Sequence, residues 1–315
     1  MYDSENPENP ENLEIIDAHG HLGDILYPGG GGIISKTGVK YPASFLQWFL
    51  CERTLYAESF WFRAAEKIAP YWSVKRERGR NRAATLENLR KSLEGTNIVR
   101  CVCAPVAPNC TYEDILNAAR EEPRILAFAS PDFTLGEHGM LERLESDLKN
   151  GAAGVKIHPI IQEIEADSGT AALAVEVVQK YRKPVLVHAG PARYYLPKEG
   201  RTRFLDYASI EKIERLVAAF PKVDFIVGHG GLDDFGKVMD IMPKHKNAYI
   251  DTSFQHPASI KALISAFGGD RVLFASDWHY GKRKPMIKTA LSACGGDLAL
   301  QRAVFYENAA KLFEI

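Results

Sequence analysis

The sequence lacks the features that mark several large classes of protein. It has no apolar run of membrane-spanning length and no secretory signal segment. Its 39 basic and 40 acidic residues leave a formal net charge of −1, so no basic field is available to attract a nucleic-acid backbone. We therefore expect a small-molecule partner, with neither nucleic acid nor membrane, and leave a homodimer open.

Cysteine is also scarce, with five residues in a chain of 315. An odd number of thiols in a chain of this length is not typical of a disulfide-stapled secreted domain, and it favours a reducing, cytoplasmic location. Cys101 and Cys103 stand two apart in an apolar run, where residues of that spacing face the same side of a strand. We assign both to core packing and expect no redox chemistry from them.

The rest of the chain has a regular organisation. Residues 1–12 repeat Glu, Asn and Pro and are predicted to be a flexible leader, and residues 13–315 to be one domain. From residue 13 short apolar runs alternate with amphipathic stretches of helical period, which predicts strand–helix units around a parallel sheet. Eight strands are predicted, at 13–18, 98–104, 125–129, 154–157, 184–187, 223–227, 248–251 and 272–275. Eight such units predict an α/β fold of the (β/α)8 (TIM) barrel type, with a doubly wound open sheet as the alternative.

The spacing between the first two predicted strands is much longer than the others. About residues 23–95 form an insertion that contains four consecutive glycines and a stretch rich in aromatic residues. Insertions of this length in a barrel loop are usually functional. We expect this one to be partly helical and to cover the barrel mouth, with contact to a dimer partner as the alternative.

The histidines carry most of the chemical information. Five of the nine lie at or just beyond the C-terminal end of a predicted strand: His19, His21, His158, His188 and His229. In a barrel, that rim is where catalytic residues from different strands converge. His19 and His21 stand two apart and can present both imidazoles to one ion, and His188 and Asp277 end other strands. Three or four N and O ligands with one open position are typical of a catalytic zinc site, so we predict a divalent ion bound by these four residues.

The motifs DAHGH, GVKIHP, PVLVHAG, IVGHGG, YIDTS and LFASDW, in this order, resemble the amidohydrolase superfamily. The likeness is to the amidohydrolase-related branch (amidohydrolase 2), which contains hydrolases and aromatic-acid decarboxylases, and it runs from about residue 15 to the C-terminus. The resemblance implies a (β/α)8 barrel with His19, His21, His188 and Asp277 as metal ligands. It implies that His229 is a further ligand or an acid/base that contacts substrate. The sequence departs from many relatives after Asp277, where WHYG stands in place of a proline-containing turn.

Several side chains are expected to surround the ligands. Lys156 occupies the position where relatives with two metals carry a carboxylated lysine; the alternatives are a cation that binds a substrate carboxylate and a structural role. We predict substrate contacts for Lys156, for His158 and for Arg193, which begins the segment Arg-Tyr-Tyr after the fifth strand. Asp17 and Asp251 are predicted to accept hydrogen bonds that orient ligand imidazoles.

Two reactions are compatible with this ligand set. We expect one divalent ion rather than two, and zinc with manganese as the alternative. Such an ion supplies hydroxide at neutral pH and polarises a carbonyl. The first hypothesis is therefore a hydrolase that cleaves an amide, ester or lactone of a small anionic substrate, with Asp277 as general base and His229 stabilising the oxyanion or protonating the leaving group. The alternative is a metal-dependent decarboxylase of an aromatic or unsaturated acid. A third hypothesis, a binding module without catalysis, conflicts with the retention of a buried imidazole cluster.

Overall fold

The computed structural model of the chain describes residues 13–41 and 70–315. The predicted leader, 1–12, and most of the aromatic stretch of the insertion lie outside these residues. Of the helices in the described ranges, none is long and apolar enough to cross a membrane.

Eight short parallel strands form the centre of the fold in two hydrogen-bonded sets. The strands of the first set are β1 (Ile15–Asp17), β2 (Ile98–Cys103) and β3 (Ile125–Ala127). Those of the second set are β4 (Val155–Ile157), β5 (Val185–Val187), β6 (Phe225–Val227), β7 (Ala248–Asp251) and β8 (Val272–Leu273). All eight predicted strands are present. Each is equal to its apolar run or shorter, with the missing residues at the start of the run in β4, β5 and β6 and at its end in β2, β3 and β8.

The two sets are joined at both seams. A parallel bridge pairs Ala129, just after β3, with Val155 on β4, and another pairs Gly20, just after β1, with Trp278, beyond β8. The β1–β8 seam is extended by a hydrogen bond of 3.0 Å from the Ala18 amide to the Phe274 carbonyl. These contacts complete the ring of strands 1 to 8 in order, as the (β/α)8 prediction requires, and the open sheet is not adopted.

Helices follow the strands and cover the outside of the ring. The insertion contributes α1 (Pro70–Asn81) and α2 (Leu86–Leu93). The outer layer continues with α3 (Tyr112–Glu121), α4 (Gly136–Lys149), α5 (Gly169–Tyr181), α6 (Ile210–Ala219), α7 (Phe235–Ile241), α8 (Pro257–Phe267) and α9 (Arg283–Cys294). The C-terminal segment is α10 (Leu298–Arg302), a π-helical turn (Ala303–Glu307) and α11 (Asn308–Phe313).

Local sequence sets where several helices begin. Thr111 caps α3 in a capping box with Asp114, in which each side chain bonds the other residue's backbone amide. Thr85 and Ser168 accept hydrogen bonds from the first turns of α2 and α5. These caps satisfy amides that have no partner inside the helix, so they fix the residue at which each of these helices begins.

The lower half of the barrel interior is filled with apolar side chains. Leu312 and Phe313 of α11 pack in one cluster with inward-facing strand residues, which are Ile16, Val102, Leu126, Leu186, Ile226 and Leu273. Lys156 pairs in register with Leu186, one of these inward residues. The register therefore turns Lys156 into the barrel, above a dry floor, and leaves the C-terminal rim for polar groups.

A buried ion pair ties the first strand to the last helix of the ring. The Asp17 carboxylate accepts a hydrogen bond of 3.0 Å from Arg283 Nε, and both side chains are at most 1% exposed. Asp17 also accepts hydrogen bonds from the Ser276 amide and hydroxyl, at 2.8 and 2.6 Å. Burial raises the pKa of Asp17, and the charge of Arg283 opposes that rise.

We expect Arg283→Met to lower the free energy of unfolding by about 3–5 kcal/mol, because it leaves the Asp17 carboxylate buried without its cation. Urea unfolding followed by circular dichroism measures the change. The matched control is Arg302→Met, since Arg302 is half-exposed and lies 3.7 Å from Glu307 at the surface. Surface pairs contribute about 0–1 kcal/mol, so equal unfolding midpoints for the two variants would contradict this account.

Candidate metal centre

The candidate ligands converge at the C-terminal rim of the barrel. His19 and His21 follow β1, His188 follows β5, and Asp277 lies beyond β8. All four are 2% exposed or less. Groups from three separate strands therefore meet in one enclosed volume above the apolar floor.

Three of the four predicted ligands form a close set. One ligand atom each of His19, His21 and Asp277 lies within 4.8 Å of the other two. Asp277 Oδ1 is 3.6 Å from His19 Nε2 and 3.4 Å from His21 Nε2. Two imidazole nitrogens and one carboxylate oxygen thus face a common point.

Hydrogen bonds fix which nitrogen of each imidazole faces this point. His19 donates from Nδ1 to Asp251 Oδ2 at 2.7 Å, and His21 donates from Nδ1 to the Ala104 carbonyl at 2.6 Å. With the hydrogen on Nδ1, each neutral ring carries its lone pair on Nε2. This is how ligand histidines are oriented in metalloenzymes, and the predicted role of Asp251 is confirmed.

His188 is oriented by a longer chain of hydrogen bonds. The Ser253 hydroxyl donates to Asp251 at 2.6 Å, so its oxygen accepts from His229 Nδ1 at 2.7 Å. His229 Nε2 is then an acceptor and takes a hydrogen bond of 3.0 Å from His188 Nδ1. The lone pair of His188 is therefore on Nε2, the nitrogen that remains for an ion.

His188 nevertheless lies beside the close set rather than within it. Its ring stacks on His158 with centroids 4.0 Å apart and packs edge-on against His229 at 4.9 Å. A second group of three, His19, His229 and Asp251, also lies within 4.8 Å, but hydrogen bonds join His19 and His229 to Asp251. The structure thus places His229 as the support of His188, with both of its ring nitrogens engaged.

The residues present fit a divalent cation. In the described part of the chain, His188 Nε2 and Asp277 Oδ1 are buried side-chain atoms without a hydrogen-bond partner. Buried polar atoms are rarely left unpaired unless a ligand, an ion or water completes them. Neutral imidazoles with one carboxylate suit zinc better than calcium or magnesium, which take mainly oxygen ligands.

Lys156 enters the same volume from β4. Its ammonium donates a hydrogen bond of 2.8 Å to His19 Nε2, the lone pair that faces the common point. The side chain is fully buried, and burial lowers the pKa of Lys156 to about 8, while Asp277 and Asp251 act in the opposite direction. An ion coordinated by His19 has to displace this ammonium, so Lys156 is within reach of anything bound there.

Burial controls the charge of the other groups. It lowers the pKa of His19, His21 and His188 well below 6.5, and Lys156 adds to the effect at each. It raises the pKa of Asp277 well above the usual value, against the opposing charge of Lys156. The imidazoles are therefore neutral at pH 7, which is the state that binds metal.

Asp277 is held in an uncommon backbone conformation. Its φ is +49°, a left-handed value that a non-glycine residue adopts at a cost of about 1–3 kcal/mol. The conformation is fixed by the Asp277 amide bonded to the His19 carbonyl and the Gly281 amide bonded to the Asp277 carbonyl, both at 2.8 Å. A Cβ at Gly281 would lie 1.9 Å from the Ser276 carbonyl, so the glycine of WHYG is required by this turn.

Asp17 does not have its predicted role. Its oxygens bond Ser276 and Arg283 and no ligand imidazole. The reason is that β1 ends at Asp17, so the rule that residues two apart face the same side does not extend to His19, and the Asp17 side chain faces Arg283 on α9. Asp17 therefore positions the turn that carries Asp277.

The predicted substrate residues occupy two different environments. Lys156 and His158 are buried beside the ligands, whereas Arg193 is exposed. The adjacent Tyr194 is buried instead, with its ring 5.5 Å from that of His158. Tyr280, whose ring is 6.2 Å from that of His21, was not singled out by the sequence analysis, although the unusual WHYG turn was a signal for it.

A separate cavity of about 440 Å³ lies beside the centre, formed by loops that follow the first five strands. Its described lining includes Leu26, Tyr27, Asn109, Ile161, Tyr195 and Arg201 and none of the candidate ligands. Tyr195 is the chain neighbour of Tyr194. This segment therefore has one phenol in the cavity wall and one at the metal centre.

Several solved structures are similar to the whole chain. An uncharacterized TIM-barrel protein of Bordetella bronchiseptica aligns with 15% identity and a TM-score of 0.66, over 96% of this chain and 99% of that one. The 5-carboxyvanillate decarboxylase of Sphingomonas paucimobilis aligns with 13% identity and a TM-score of 0.63, over the same shares. The 2,6-dihydroxybenzoate decarboxylase from Rhizobium aligns with 16% identity and a TM-score of 0.60, again over 96% and 99%. At these identities the likeness establishes the fold.

No curated protein sequence matches the chain. The family model described as amidohydrolase matches residues 16–315, which include every candidate ligand and all strand residues except Ile15. The chain therefore belongs to the amidohydrolase family, in the amidohydrolase 2 branch.

Proposed function

We propose that the protein is a metal-dependent decarboxylase of an aromatic or unsaturated carboxylic acid. The observation that carries the proposal is that aromatic rings enclose the candidate metal centre together with the buried ammonium group of Lys156. Lys156 is fully buried, and each candidate ligand is at most 2% exposed. Such a site suits an anionic planar substrate and a reaction that consumes no water.

The walls of the site are mainly aromatic. The rings of His158 and His188 are stacked at an interplanar angle of 11°, and Tyr194 lies beside both. The Tyr280 ring lies 5.7 Å from that of Tyr194. Flat faces of this kind pack favourably on a planar ring, and ring pairs contribute about 0.5–1.5 kcal/mol beyond the burial of their area.

The similar structures favour the same reaction. Besides the two decarboxylases above, the 5-carboxyvanillate decarboxylase of Novosphingobium aromaticivorans was solved with manganese and 4-hydroxy-3-methoxy-5-nitrobenzoic acid, and it covers 97% of this chain. They support decarboxylation better than the hydrolysis that the sequence analysis placed first. The divalent ion is proposed to be manganese or zinc.

The residues divide the work of this reaction. The ion would be held by His19, His21 and Asp277, with His188 as a fourth ligand. When bound, it would attract the substrate's oxygens and withdraw electrons from the reacting carbon. The Lys156 ammonium neutralises the substrate carboxylate. Asp277 Oδ1 faces His19 and His21, whereas Oδ2 faces His229 at 4.0 Å. Oδ2 is thus the oxygen that can carry a proton to substrate.

The bond changes balance with one proton. The carbon–carbon bond to the carboxylate breaks, carbon dioxide leaves, and the electron pair stays on the ring carbon. A proton from Asp277 Oδ2 then forms the new carbon–hydrogen bond. Solvent restores the proton after product leaves.

We expect the purified protein to contain about one divalent ion, and His19→Ala combined with His188→Ala to lose it, because two of the nitrogen ligands are removed. Metal analysis by mass spectrometry after gel filtration measures the ratio. The control is His138→Ala combined with His245→Ala, two histidines that contact Glu142 and Glu214 outside the centre. Equal metal contents in the two double variants would contradict the ligand assignment.

We expect Ser253→Ala to weaken metal binding by about 10- to 100-fold, because it removes the acceptor that sets the His229 tautomer and through it the His188 lone pair. Competition with a chromophoric chelator gives the affinity. Thr289→Ala is the control, since that hydroxyl bonds only the Pro285 carbonyl on α9. An affinity unchanged by Ser253→Ala would mean that the hydrogen-bond chain does not orient a ligand.

We expect the metal-loaded protein to release carbon dioxide from hydroxylated benzoic acids such as 2,6-dihydroxybenzoate, without oxygen from labelled water in the product. Lys156→Met should lower kcat/KM by about 10- to 100-fold while metal stays bound, because a charged hydrogen bond to the carboxylate is lost. Lys183→Met, which breaks a surface pair with Glu314, is the matched control. Labelled oxygen incorporated from water on cleavage of an ester, amide or lactone would identify a hydrolase instead.

A further inference from the structure

Two phenols border the metal centre from different loops. Tyr194 follows β5 and Tyr280 follows β8, and they are 7% and 4% exposed. Their ring centroids are 5.7 Å apart. Tyr194 lies 6.4 Å from the ring of His188, and Tyr280 lies 6.2 Å from the ring of His21. The pair therefore spans the space between ligands that come from opposite sides of the barrel.

The hydrogen-bond role of Tyr280 is fixed by Asn81, at the end of α1. Asn81 is fully buried, and its Oδ1 accepts a hydrogen bond of 3.1 Å from the Ile25 amide. The amide nitrogen of Asn81 must therefore be the atom that faces Tyr280, and it donates to the phenol oxygen at 2.6 Å. Tyr280 is an acceptor in this contact and keeps its own hydrogen for another partner.

The role of Tyr194 is fixed in the same way by His158. The Ile161 amide donates to His158 Nδ1 at 3.4 Å, so the hydrogen of the neutral ring is on Nε2. Nε2 lies 3.4 Å from the Tyr194 hydroxyl and donates to it. Tyr194 likewise accepts one hydrogen bond and retains its hydrogen.

Neither hydrogen has an acceptor in the described part of the chain. The two hydroxyls have only the hydrogen bonds from Asn81 and His158 there, and no hydrogen bond joins the two phenols. Burial raises the pKa of both phenols well above 10, so both hydrogens are present at neutral pH. A buried hydroxyl hydrogen without an acceptor is costly, which indicates that a ligand completes it.

We propose that Tyr194 and Tyr280 are a pair of uncharged donors that bind an oxygen acceptor of the substrate, either a carboxylate oxygen or a ring oxygen. This inference rests on the proposed function, which supplies the substrate class, and it adds two residues that determine specificity at the same site. Donation from two phenols fixes the tilt of the substrate ring relative to Lys156 and the ligands. An acid without an oxygen within reach of the pair leaves both hydrogens unpaired and is rejected.

The test is the affinity of metal-loaded protein for 2,6-dihydroxybenzoate, measured by calorimetry for the wild type, Tyr194→Phe and Tyr280→Phe. Each variant removes one neutral hydrogen bond, and we expect affinity to fall by about 3- to 10-fold in each. Tyr181→Phe is the control, because that hydroxyl bonds Glu145 on the outer helices. Bound metal should be equal in all four proteins.

Two simpler probes identify the oxygen that the pair binds. If benzoate loses affinity in the variants and 1,3-dihydroxybenzene does not, the acceptor is the carboxylate; the reverse result identifies a ring oxygen. Unchanged affinity for 2,6-dihydroxybenzoate in both variants overturns the inference, and so does a wild type that does not bind it. Binding that depends on the phenols, but without carbon dioxide release, overturns the proposed decarboxylation and leaves the donor pair standing.

Discussion

The hydrogen bonds accepted by the Asp251 carboxylate are the interaction on which the centre depends. One oxygen holds His19, and the other accepts from the Ser253 amide and hydroxyl and from the His229 amide. Through Ser253 and His229 the same carboxylate determines the tautomer of His188. A single buried carboxylate on β7 thus decides which nitrogens of His19 and His188, on two other strands, remain for an ion.

Lys156, on β4, adds a cation to this network through its hydrogen bond to His19. Isolated charges are costly to bury, and this one is compensated by the His19 lone pair and the nearby carboxylates of Asp277 and Asp251. An entering anion offers the ammonium a stronger partner than an imidazole nitrogen. Under the proposed function, an anionic substrate would attract Lys156 away from His19 and an ion bound by His19 would displace it, so the two would act in the same direction.

The sequence predicted the parts of this protein that depend on local pattern. The eight strands followed from short apolar runs, and His19, His21 and Asp277 from their places at strand ends. The role predicted for Asp17 was wrong, because β1 ends at this residue and its side chain bonds Ser276 and Arg283 instead of an imidazole. The hydrogen bond between Asn81 and Tyr280 joins an insertion helix to the loop after β8. A contact between residues so distant in the sequence could not be predicted from motif spacing. Hydrolysis and decarboxylation use the same ligands, so motifs alone could not rank them.

The ligands follow the first and the last strand of the ring, and those two strands meet at a seam held by few backbone bonds. Coordination of an ion by His19, His21 and Asp277 would therefore link the two strands across this seam. It would require both strands to be in place first, because His19 and His21 follow β1 whereas Asp277 lies beyond β8. Ion binding would then stabilise a ring that has already closed rather than nucleate its folding.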